Sequence, residues 1–532
     1  LEVDAMPRRS PAPLPPRPKP TPHSGTFTSR PGPSPRATDL PAQPNFLLLM
    51  TDQERAVQHW PAGWAEAHLP ALGRLRAHGL SFRQAFTNTC QCSPARATLF
   101  TGTYPAVHGV TRTSGTLTAG FQNLARLLGG AGYDVVYKGK FHLNTRYLST
   151  AASQAPGFDQ ALAQEYGFSG WNAPDAGTSL AAVETMGGGT ADNDRRYVLG
   201  TSPGDVAGAL QYLKTRRPVG AGGKRSNPPF CLVVSLVNPH DVSVFPRLLA
   251  DAGYALPAFA DLPIDLPPNF DDDLSTKPDI QAFFRDRSRF LGDLTTPEQR
   301  LQYVRFYAYL HTLTDALIGQ ILDTLEATGL AGETLVVRLS DHGEMGLSHG
   351  GLRQKVYTAY EETIRVPLIF SHPGLFPRPV ETDSLASLID LLPTLAKLAG
   401  TPQDGYRFQG VDLSPILKDR TKSVQDHVFY TFDDQLGPEL TDTIAGHIRA
   451  IRERDWKYCF YFTPTYTTQQ FELYDLQNDP LEMHNLADDP RYAAERQRLD
   501  ALLHQTMQAT GATTKRTRAV GALADPITGP PR

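Results

Sequence analysis

Asn45-Phe46-Leu47-Leu48-Leu49-Met50-Thr51-Asp52 is the stretch of the sequence that decides the fold. It contains an unbroken apolar run of the length of one strand, which is typical of a strand that is buried on both faces. An acidic residue, Asp52, follows this run almost at once. We therefore expect a buried sheet strand with a carboxylate at its carboxyl end.

Short apolar runs of the same kind recur along the chain, and segments with helical periodicity separate them. The further strand-like runs are 133–137, 231–237, 334–339 and 366–370. The helix-like segments include 69–78, 122–128, 205–213 and 298–328. Strands that alternate with helices predict an α/β fold with a large, mostly parallel sheet flanked by helices.

The two ends of the chain differ from this central part in residue composition and pattern. From about residue 426, the aromatic strands HVFYTF, HIRAIRE, WKYCFYF and FELYDL precede an amphipathic helix at about 491–507, which predicts a small antiparallel sheet with a helix. At the other end, 13 of the 45 prolines fall within residues 1–44, where large apolar residues are almost absent. The predicted organisation is a disordered Pro-rich extension at 1–43, a large α/β domain at 44–425 and a small C-terminal α+β domain at 426–532.

Composition excludes several classes of function. A net charge of -4 and a pI near 6.5 argue against nucleic acid as a partner. The longest strongly apolar run is far shorter than the roughly 20 residues that span a bilayer, so no membrane anchor is expected. Four cysteines are too few to organise a chain of 532 residues through disulfides, which slightly favours the cytoplasm and leaves export with a removed signal open. The oligomeric state stays undetermined.

Polar residues follow four of the predicted strands at the point where each strand ends. In open parallel sheets ligands bind beyond the carboxyl ends of the strands, so these side chains should meet in one cleft. Taken singly, each is more simply interpreted as a turn or cap residue, but agreement among four strand ends favours a site. The residues are Asp52, Lys140, His142, His240, Asp341 and His342.

A second informative segment is Cys90-Gln91-Cys92-Ser93-Pro94-Ala95-Arg96. Ser93 is a good N-cap and Pro94 suits the first helical position, so Cys92 should lie at the mouth of a helix. Free backbone N–H groups at that end favour anions. Three interpretations stay open on this evidence: a reactive residue, a small cysteine that only packs, and a Cys-x-Cys pair. Zinc is disfavoured because no second cysteine pair has ligand spacing.

The segment Cys92-Ser93-Pro94-Ala95-Arg96 resembles the Cys-x-Pro-x-Arg motif of the type I sulfatases, members of the alkaline phosphatase superfamily. In that family a maturation enzyme oxidises the cysteine to formylglycine. The resemblance runs in the family's order from about residue 44 to at least 490 and implies the family's fold and the hydrolysis of an alkyl or aryl sulfate monoester. Its other motifs are Leu-Leu-Met-Thr-Asp52-Gln53, Gly139-Lys140-Phe141-His142, Asn238-Pro239-His240, Ser340-Asp341-His342-Gly343-Glu344 with Lys355, and Glu472-Leu473-Tyr474-Asp475-Leu476.

The resemblance also implies a role for each site residue. Hydrolysis of a sulfate ester needs a positioned nucleophile, charge neutralisation and a proton for the departing oxygen. Residue 92 would supply the nucleophile, and a divalent metal, calcium in the family, would be held by Asp52, Asp341, His342 and the oxygen of residue 92. The remaining assignments are Arg96 to the hydrated aldehyde, Lys140, Lys355 and Gln53 to the substrate, His240 as the acid for the leaving alcohol, and His142 as the base that releases sulfate.

Two positions depart from the usual sulfatase pattern. Many sulfatases have a second Asp where this chain has Gln53, and Asn where it has His342. Less negative charge around the ion weakens calcium binding and leaves manganese or magnesium open. Similar Asp-Gln and Asp-His pairs occur in phosphonate monoester and phosphodiester hydrolases, so that reaction is the nearest alternative. Whether Gln53 contacts metal or substrate stays open.

Alternatives from other classes are weaker. Gly200-Thr201-Ser202-Pro203-Gly204 matches the Gly-x-Ser-x-Gly elbow of serine hydrolases, but Pro203 lacks the N–H that the oxyanion needs, and Ser202 is better interpreted as the N-cap of helix 205–213. A non-catalytic binding protein would be favoured if Cys92 stayed a thiol. The organic part of the substrate is expected among the loops at 143–200 and 241–300, where aromatic residues include Tyr166, Phe168 and Trp171.

Overall fold

Strand β1, Asn45–Asp52, is buried along its whole length and pairs in parallel with one strand on each side. Leu48 lies opposite Val233 of one neighbour and Val337 of the other. The computed structural model describes residues 40–144, 158–171, 175, 190–200, 207–220, 223–433 and 443–513. The predicted buried strand is confirmed, and Asp52 is its last residue.

β1 belongs to a seven-stranded sheet with the order β3-β4-β1-β5-β6-β2-β7. Strand β6 runs antiparallel to both of its neighbours, and the other pairs are parallel, so the predicted mostly parallel sheet is confirmed. The sequence analysis did not predict β2 and β7. The strands after β1 are β2 Gly79–Phe86, β3 Asp134–Gly139, β4 Phe230–Pro239, β5 Thr334–Ser340, β6 Leu368–Ser371 and β7 Val380–Ser387.

Helices cover both faces of this sheet because alternate residues of β1 point in opposite directions. Phe46 and Leu48 pack in one apolar cluster with the helix that begins at Cys92, whereas Leu47 and Leu49 pack in another with the long helix Pro297–Ala327. Helices α1 to α14 of the described residues are Trp64–His68, Pro70–Ala77, Cys92–Thr101, Pro105–His108, Leu124–Gly130, Phe158–Tyr166, Asn193–Leu199, Ala209–Lys214, Asp279–Arg287, Pro297–Ala327, Glu361–Ile364, Leu391–Leu398, Ser414–Lys418 and Ala493–Thr510. A further short segment, Ser348–Gly351, is left unnumbered because His349 and Gly350 have non-helical backbone angles.

The predicted helices at 69–78, 122–128 and 298–328 agree with α2, α5 and α10 to within a few residues, whereas the one at 205–213 does not. The start of α10 is well defined because Thr296 and Gln299 form a reciprocal capping box, with Pro297 in the first turn. The predicted helix at 205–213 is wrong in its first part, because residues 207–208 are not helical and α8 begins at Ala209. Ser202 and Pro203 lie outside the described residues.

The C-terminal part forms a four-stranded antiparallel sheet with the order β11-β10-β9-β8, as predicted. One face packs against α14 through Leu499 and Leu503, and the other packs against segments beside Cys90 and Tyr357. Both sheets lie in one compact unit, so the domain boundary at 425/426 stays a prediction. The strands are β8 His427–Phe432, β9 His447–Glu453, β10 Trp456–Phe462 and β11 Gln469–Asp475.

Two expectations from composition concern cysteines and membranes. All four cysteines are buried and free of disulfide bonds. None of the helices in the described part of the chain is both long enough and apolar enough to cross a membrane. Of the predicted Pro-rich extension at 1–43, residues 1–39 lie outside the described residues.

Candidate active site

The parallel strands bring the predicted polar residues to one end of the large sheet. Asp52 ends β1, Lys140 follows β3, Asp341 follows β5, and His240 opens the 3-10 turn His240–Val244 directly after β4. Each of these side chains is buried. The gathering of strand ends expected from the sequence is therefore present in the structure.

Cys92 is the first residue of α3 and lies beside the two acidic strand ends. Its Sγ is 3.3 Å from His342 Nε2 and 3.6 Å from Asp52 Oδ1. The expected N-cap role of Ser93 is wrong, because the helix begins at Cys92, two residues earlier than the capping pattern required, and Gln91 is the N-cap. Ser93 is inside the helix, and its hydroxyl accepts a hydrogen bond from the backbone N of Ser114 at 3.0 Å.

Four buried side chains form a group that can hold a metal ion. One ligand atom from each of Asp52, Cys92, Asp341 and His342 lies within 4.8 Å of all the others. Carboxylates and imidazole suit a range of divalent ions, and an oxygen in place of the Cys92 sulfur would give three oxygen donors and one imidazole nitrogen. The residues present therefore fit the metal that the sequence predicts.

Arg96 holds the two carboxylates of this group together. Its Nε donates to Asp341 Oδ2 at 2.9 Å, and its Nη2 donates to Asp52 Oδ2 at 3.0 Å. Its other terminal nitrogen, Nη1, donates to Ser235 Oγ at 2.8 Å and to the backbone oxygen of Lys140 at 2.6 Å. Arg96 therefore contacts both carboxylates of the group, and its predicted role at the hydrated aldehyde stays a prediction.

The surrounding charges shift the pKa values of Asp52 and Asp341 in opposite directions. Burial alone would raise the pKa of Asp52, but Lys140, His240 and Arg96 lower it well below its usual value. Lys140 Nζ is 2.6 Å from Asp52 Oδ2. Burial and the neighbouring Asp52 charge raise the pKa of Asp341. A cation bound between the two carboxyls would favour the ionised form of both and so lower both pKa values.

The buried cluster of site residues also favours an anion at position 92. Burial alone would raise the pKa of the Cys92 thiol, but Lys140, Lys355 and His342 lower it well below its usual value. Lys140 Nζ is 3.7 Å from the sulfur. The same positive field would stabilise any negatively charged oxygen placed there.

Lys355 lies between Gln53 and His240. Its Nζ donates to Gln53 Oε1 at 2.5 Å and contacts His240 Nε2 at 3.0 Å. Burial, together with the charge of Lys355, lowers the pKa of His240 to about 3, so this imidazole is neutral near pH 7 and accepts the hydrogen bond. Gln53, which the sequence assigned to the substrate, has its side-chain contacts with Lys355 and Glu344.

His142 reaches the site from the segment after β3. Its Nε2 lies 3.3 Å from Ser114 Oγ, and its side chain is among the groups that lower the pKa of the Cys92 thiol. Asp175 accepts hydrogen bonds from the backbone nitrogens of Phe141 at 2.9 Å and His142 at 2.8 Å, and it thereby fixes the turn. All ten site residues predicted from the sequence thus lie in or directly beside one buried cluster.

Comparison with known families agrees with this geometry. The family model described as Sulfatase matches residues 44–401, which is more than half of the chain. The chain belongs to the sulfatase family. A second model, described as N-sulphoglucosamine sulphohydrolase, C-terminal, matches residues 350–509 of this sulfatase. The predicted family and the predicted sulfuric ester hydrolase activity are confirmed.

Individual relatives resemble this sulfatase over most of their length. Choline-sulfatase of Rhizobium meliloti (strain 1021) is 28% identical over 499 residues, which cover 90% of each chain. The solved structure of a 2-O GAG sulfatase has a TM-score of 0.66 at 23% identity and covers 88% of this chain and 93% of its own. Phosphonate monoester hydrolase of Agrobacterium radiobacter has a TM-score of 0.62 at 23% identity and covers 88% and 96%. The structures share the fold with this chain.

Sequence reasoning missed several residues that shape the site of this sulfatase. Glu344 and Asp175 are fully buried next to site residues, and no role was assigned to either. Glu344 stood in the Asp341-His342-Gly343-Glu344 motif, so its place two residues after a ligand was an available signal. Asp175 stood in a Gly- and Pro-rich stretch that gave no signal of this kind.

Three aromatic residues of the loops expected to hold the organic part of the substrate belong to the apolar core. Tyr166, Phe168 and Trp171 are each at most 2% exposed and pack in the main apolar cluster with Tyr137 and Phe141. These three rings are therefore core side chains, and the expectation that the loops at 143–200 and 241–300 hold the organic part of the substrate stays a prediction.

A second buried group, His349, Glu362 and Glu482, also has ligand atoms within 4.8 Å of one another. Protein cations already balance its charge. Lys457 Nζ contacts Glu482 Oε1, and burial would lower the pKa of His349, but Asp272 and Glu362 raise it to about 9. We therefore interpret this group as an ion-pair network between the large sheet and the C-terminal sheet.

Proposed function

We propose that this sulfatase hydrolyses an alkyl or aryl sulfate monoester with a formylglycine made from Cys92 by a maturation enzyme. The observation that carries the proposal is the grouping of Cys92, Asp52, Asp341 and His342 at the start of a helix. A cysteine that only packs needs apolar neighbours, whereas this one has carboxylates, imidazoles and ammonium groups around it. Those groups match the needs of a charged transition state.

The metal would be held by Asp52, Asp341, His342 and the oxygen of residue 92. When bound, it would polarise a sulfate oxygen and lower the pKa of a hydroxyl on residue 92. Calcium is the ion that the family resemblance implies. The proposed ligand set has only two carboxylates, because His342 is an imidazole and Gln53, which contacts Lys355 and Glu344, is an amide. Manganese and magnesium therefore stay alternatives to be tested by metal analysis.

The hydrated aldehyde would supply one hydroxyl to attack sulfur and a second hydroxyl for the release of sulfate. Lys140 and Lys355 flank position 92 and would bind the sulfate oxygens, which neutralises charge and orients the ester for attack. Arg96 would keep Asp52 and Asp341 at ligand spacing.

His240 would give a proton to the ester oxygen as its bond to sulfur breaks. Its low pKa shows that the free enzyme holds it neutral, and the negative charge of an arriving sulfate favours the protonated imidazole that this step requires. His142 would accept the proton of the second hydroxyl of residue 92. The bond between residue 92 and sulfate then breaks, sulfate leaves, and the aldehyde is restored.

Cys92→Ala tests the proposal directly. We expect no measurable turnover of an aryl sulfate and an unchanged circular dichroism spectrum, because the side chain is small and no described contact holding the fold depends on it. A variant that turned over at the parent rate would refute the assignment.

Phosphonate monoester or phosphodiester hydrolysis is the second candidate function. His342 and Gln53 favour it, since the sequence shares these departures with such hydrolases. The test is a set of parallel rates on an aryl sulfate, an aryl phosphate diester and a phosphonate monoester. We expect the sulfate to be fastest, and a sulfate rate below both others would reverse the order of the two candidates.

A further inference from the structure

The side chain of Gln53 connects two charged residues of opposite sign. Its Oε1 accepts a hydrogen bond from Lys355 Nζ at 2.5 Å, and its Nε2 donates to Glu344 Oε2. Lys355 Nζ in turn lies 3.0 Å from His240 Nε2. An unbroken line of polar contacts therefore runs from Glu344, through Gln53 and Lys355, to the predicted acid of the reaction.

Chemistry fixes the orientation of the Gln53 amide in this line. An ionised carboxylate can only accept hydrogen bonds, and an ammonium group can only donate them. The amide must therefore turn its nitrogen to Glu344 and its oxygen to Lys355. The backbone of Gln53 is held as well, because its N–H donates to Asp341 Oδ1 at 3.2 Å.

Glu344 is itself held in place by donors on its other oxygen. Oε1 accepts hydrogen bonds from Tyr303 Oη at 2.7 Å, Gly346 N at 3.1 Å and Gln354 N at 3.0 Å. The side chain is fully buried. With three donors on Oε1, the second oxygen is the one that faces Gln53.

We propose that Glu344 is a positioning residue that sets the orientation of the Gln53 amide and, through it, the place of the Lys355 ammonium. Gln53 then passes the position set by Glu344 on to Lys355 through its two amide contacts. The inference rests on the proposed function, in which Lys355 binds a sulfate oxygen beside His240.

Glu344→Gln is the informative substitution because it changes the number of acceptors without changing shape. The three donors on the Oε1 side will retain the oxygen of the new amide, so its NH2 group must face Gln53. The Gln53 amide then flips and presents its own NH2 group to Lys355, where two donors oppose each other. We expect kcat/KM to fall about 10- to 100-fold, chiefly through KM, since Lys355 binds sulfate in both the ground state and the transition state.

The reciprocal double variant Gln53→Glu with Glu344→Gln supplies the rescue. The NH2 group at position 344 now donates to the new carboxylate at position 53, whose other oxygen accepts from Lys355. We expect the double variant to recover most of the lost kcat/KM. Gln53→Glu alone should be the worst of the three, because it sets two buried carboxylates against each other.

Glu472→Gln is the matched control. Glu472 is also buried, and its Oε1 also accepts from a glutamine side chain, Gln281 Nε2 at 3.0 Å, and from a tyrosine hydroxyl, Tyr474 Oη at 2.8 Å. It lies in the C-terminal sheet, in β11. We expect its kcat/KM to equal that of the parent.

The result is read as ratios to the parent on whichever ester the parent hydrolyses best, with bound metal and the unfolding midpoint measured for every variant. Failure of the parent on sulfate esters would count against the proposed function and leave the ratios valid. The positioning role is overturned if Glu344→Gln keeps the parent kcat/KM, if the double variant is no better than Glu344→Gln, or if the activity lost follows lost metal. If Glu344→Gln does not fold, the double variant is compared with Gln53→Glu, and the positioning role is overturned if the double variant has no higher kcat/KM.

Discussion

Replacement of Arg96 by methionine should test whether its charge stabilises the two carboxylates of the predicted metal site. The guanidinium donates to Asp341 at 2.9 Å and to Asp52 at 3.0 Å, and all three side chains are fully buried. Removal of one partner of a buried ion pair typically costs about 3–5 kcal/mol, because a charge is left without compensation. Lys140 Nζ, 2.6 Å from Asp52 Oδ2, would remain beside Asp52, and His342 Nε2 would remain 3.7 Å from Asp341 Oδ1.

We therefore expect Arg96→Met to lower the free energy of unfolding by about 3–5 kcal/mol in the presence of a chelator. A saturating divalent metal should reduce the loss to less than half, because the ion compensates for the same two carboxylates. Urea unfolding followed by circular dichroism, with and without metal, measures both values.

Arg338→Met is the matched control for this experiment. Arg338 is a buried arginine paired with Glu54, and it donates to Thr51 Oγ1 at 2.9 Å. Since Arg338 contacts none of the four predicted ligands, Arg338→Met should lower the free energy of unfolding by the same amount with and without metal. The reasoning is refuted if Arg96→Met costs less than about 1 kcal/mol in chelator, or if its cost is independent of metal.

Three further predictions follow from other contacts. Replacement of His240 by alanine should slow alkyl sulfates far more than nitrophenyl sulfate, whose leaving group needs no proton; equal slowing would exclude an acid role. Chelation should abolish turnover and metal add-back should restore it, with activity that survives complete metal removal as the contrary result. Because the folded-state pKa of His349 is raised from 6.5 to about 9, its stabilisation is complete below pH 6.5 and is lost as pH rises towards 9, by about 3 kcal/mol. Replacement by Asn, which tolerates the φ of 49° at this position, should remove that part of the pH profile of unfolding, and an unchanged profile would contradict the assignment.

Much of the fold could be predicted because its strands are either fully buried or strongly aromatic. The run at 46–50 and the motif WKYCFYF both lie in strands of the structure. Strand β7, with the sequence VETDSLAS, was missed because it is only partly buried and is rich in polar residues. The antiparallel direction of β6 was also beyond reach, since an apolar run carries no information about strand direction.

The candidate site was predictable where chemistry follows directly from a strand end. Asp52 and Asp341 needed only the rule for parallel sheets. The contacts of Arg96 and Gln53 could not be derived in this way, because they depend on side-chain partners that are distant in sequence. Glu344 lies 291 residues from Gln53, and only the folded chain brings the two together.

The central claim is that residue 92 acts as an aldehyde hydrate beside a divalent ion, and mass spectrometry of the peptide that contains Cys92 tests it most directly. The active enzyme should be purified from a host that has the maturation enzyme, digested, and treated with a hydrazide reagent. We predict that the peptide carries an aldehyde in place of the thiol and forms the hydrazone. A fully active preparation in which position 92 is an unmodified cysteine would contradict the account.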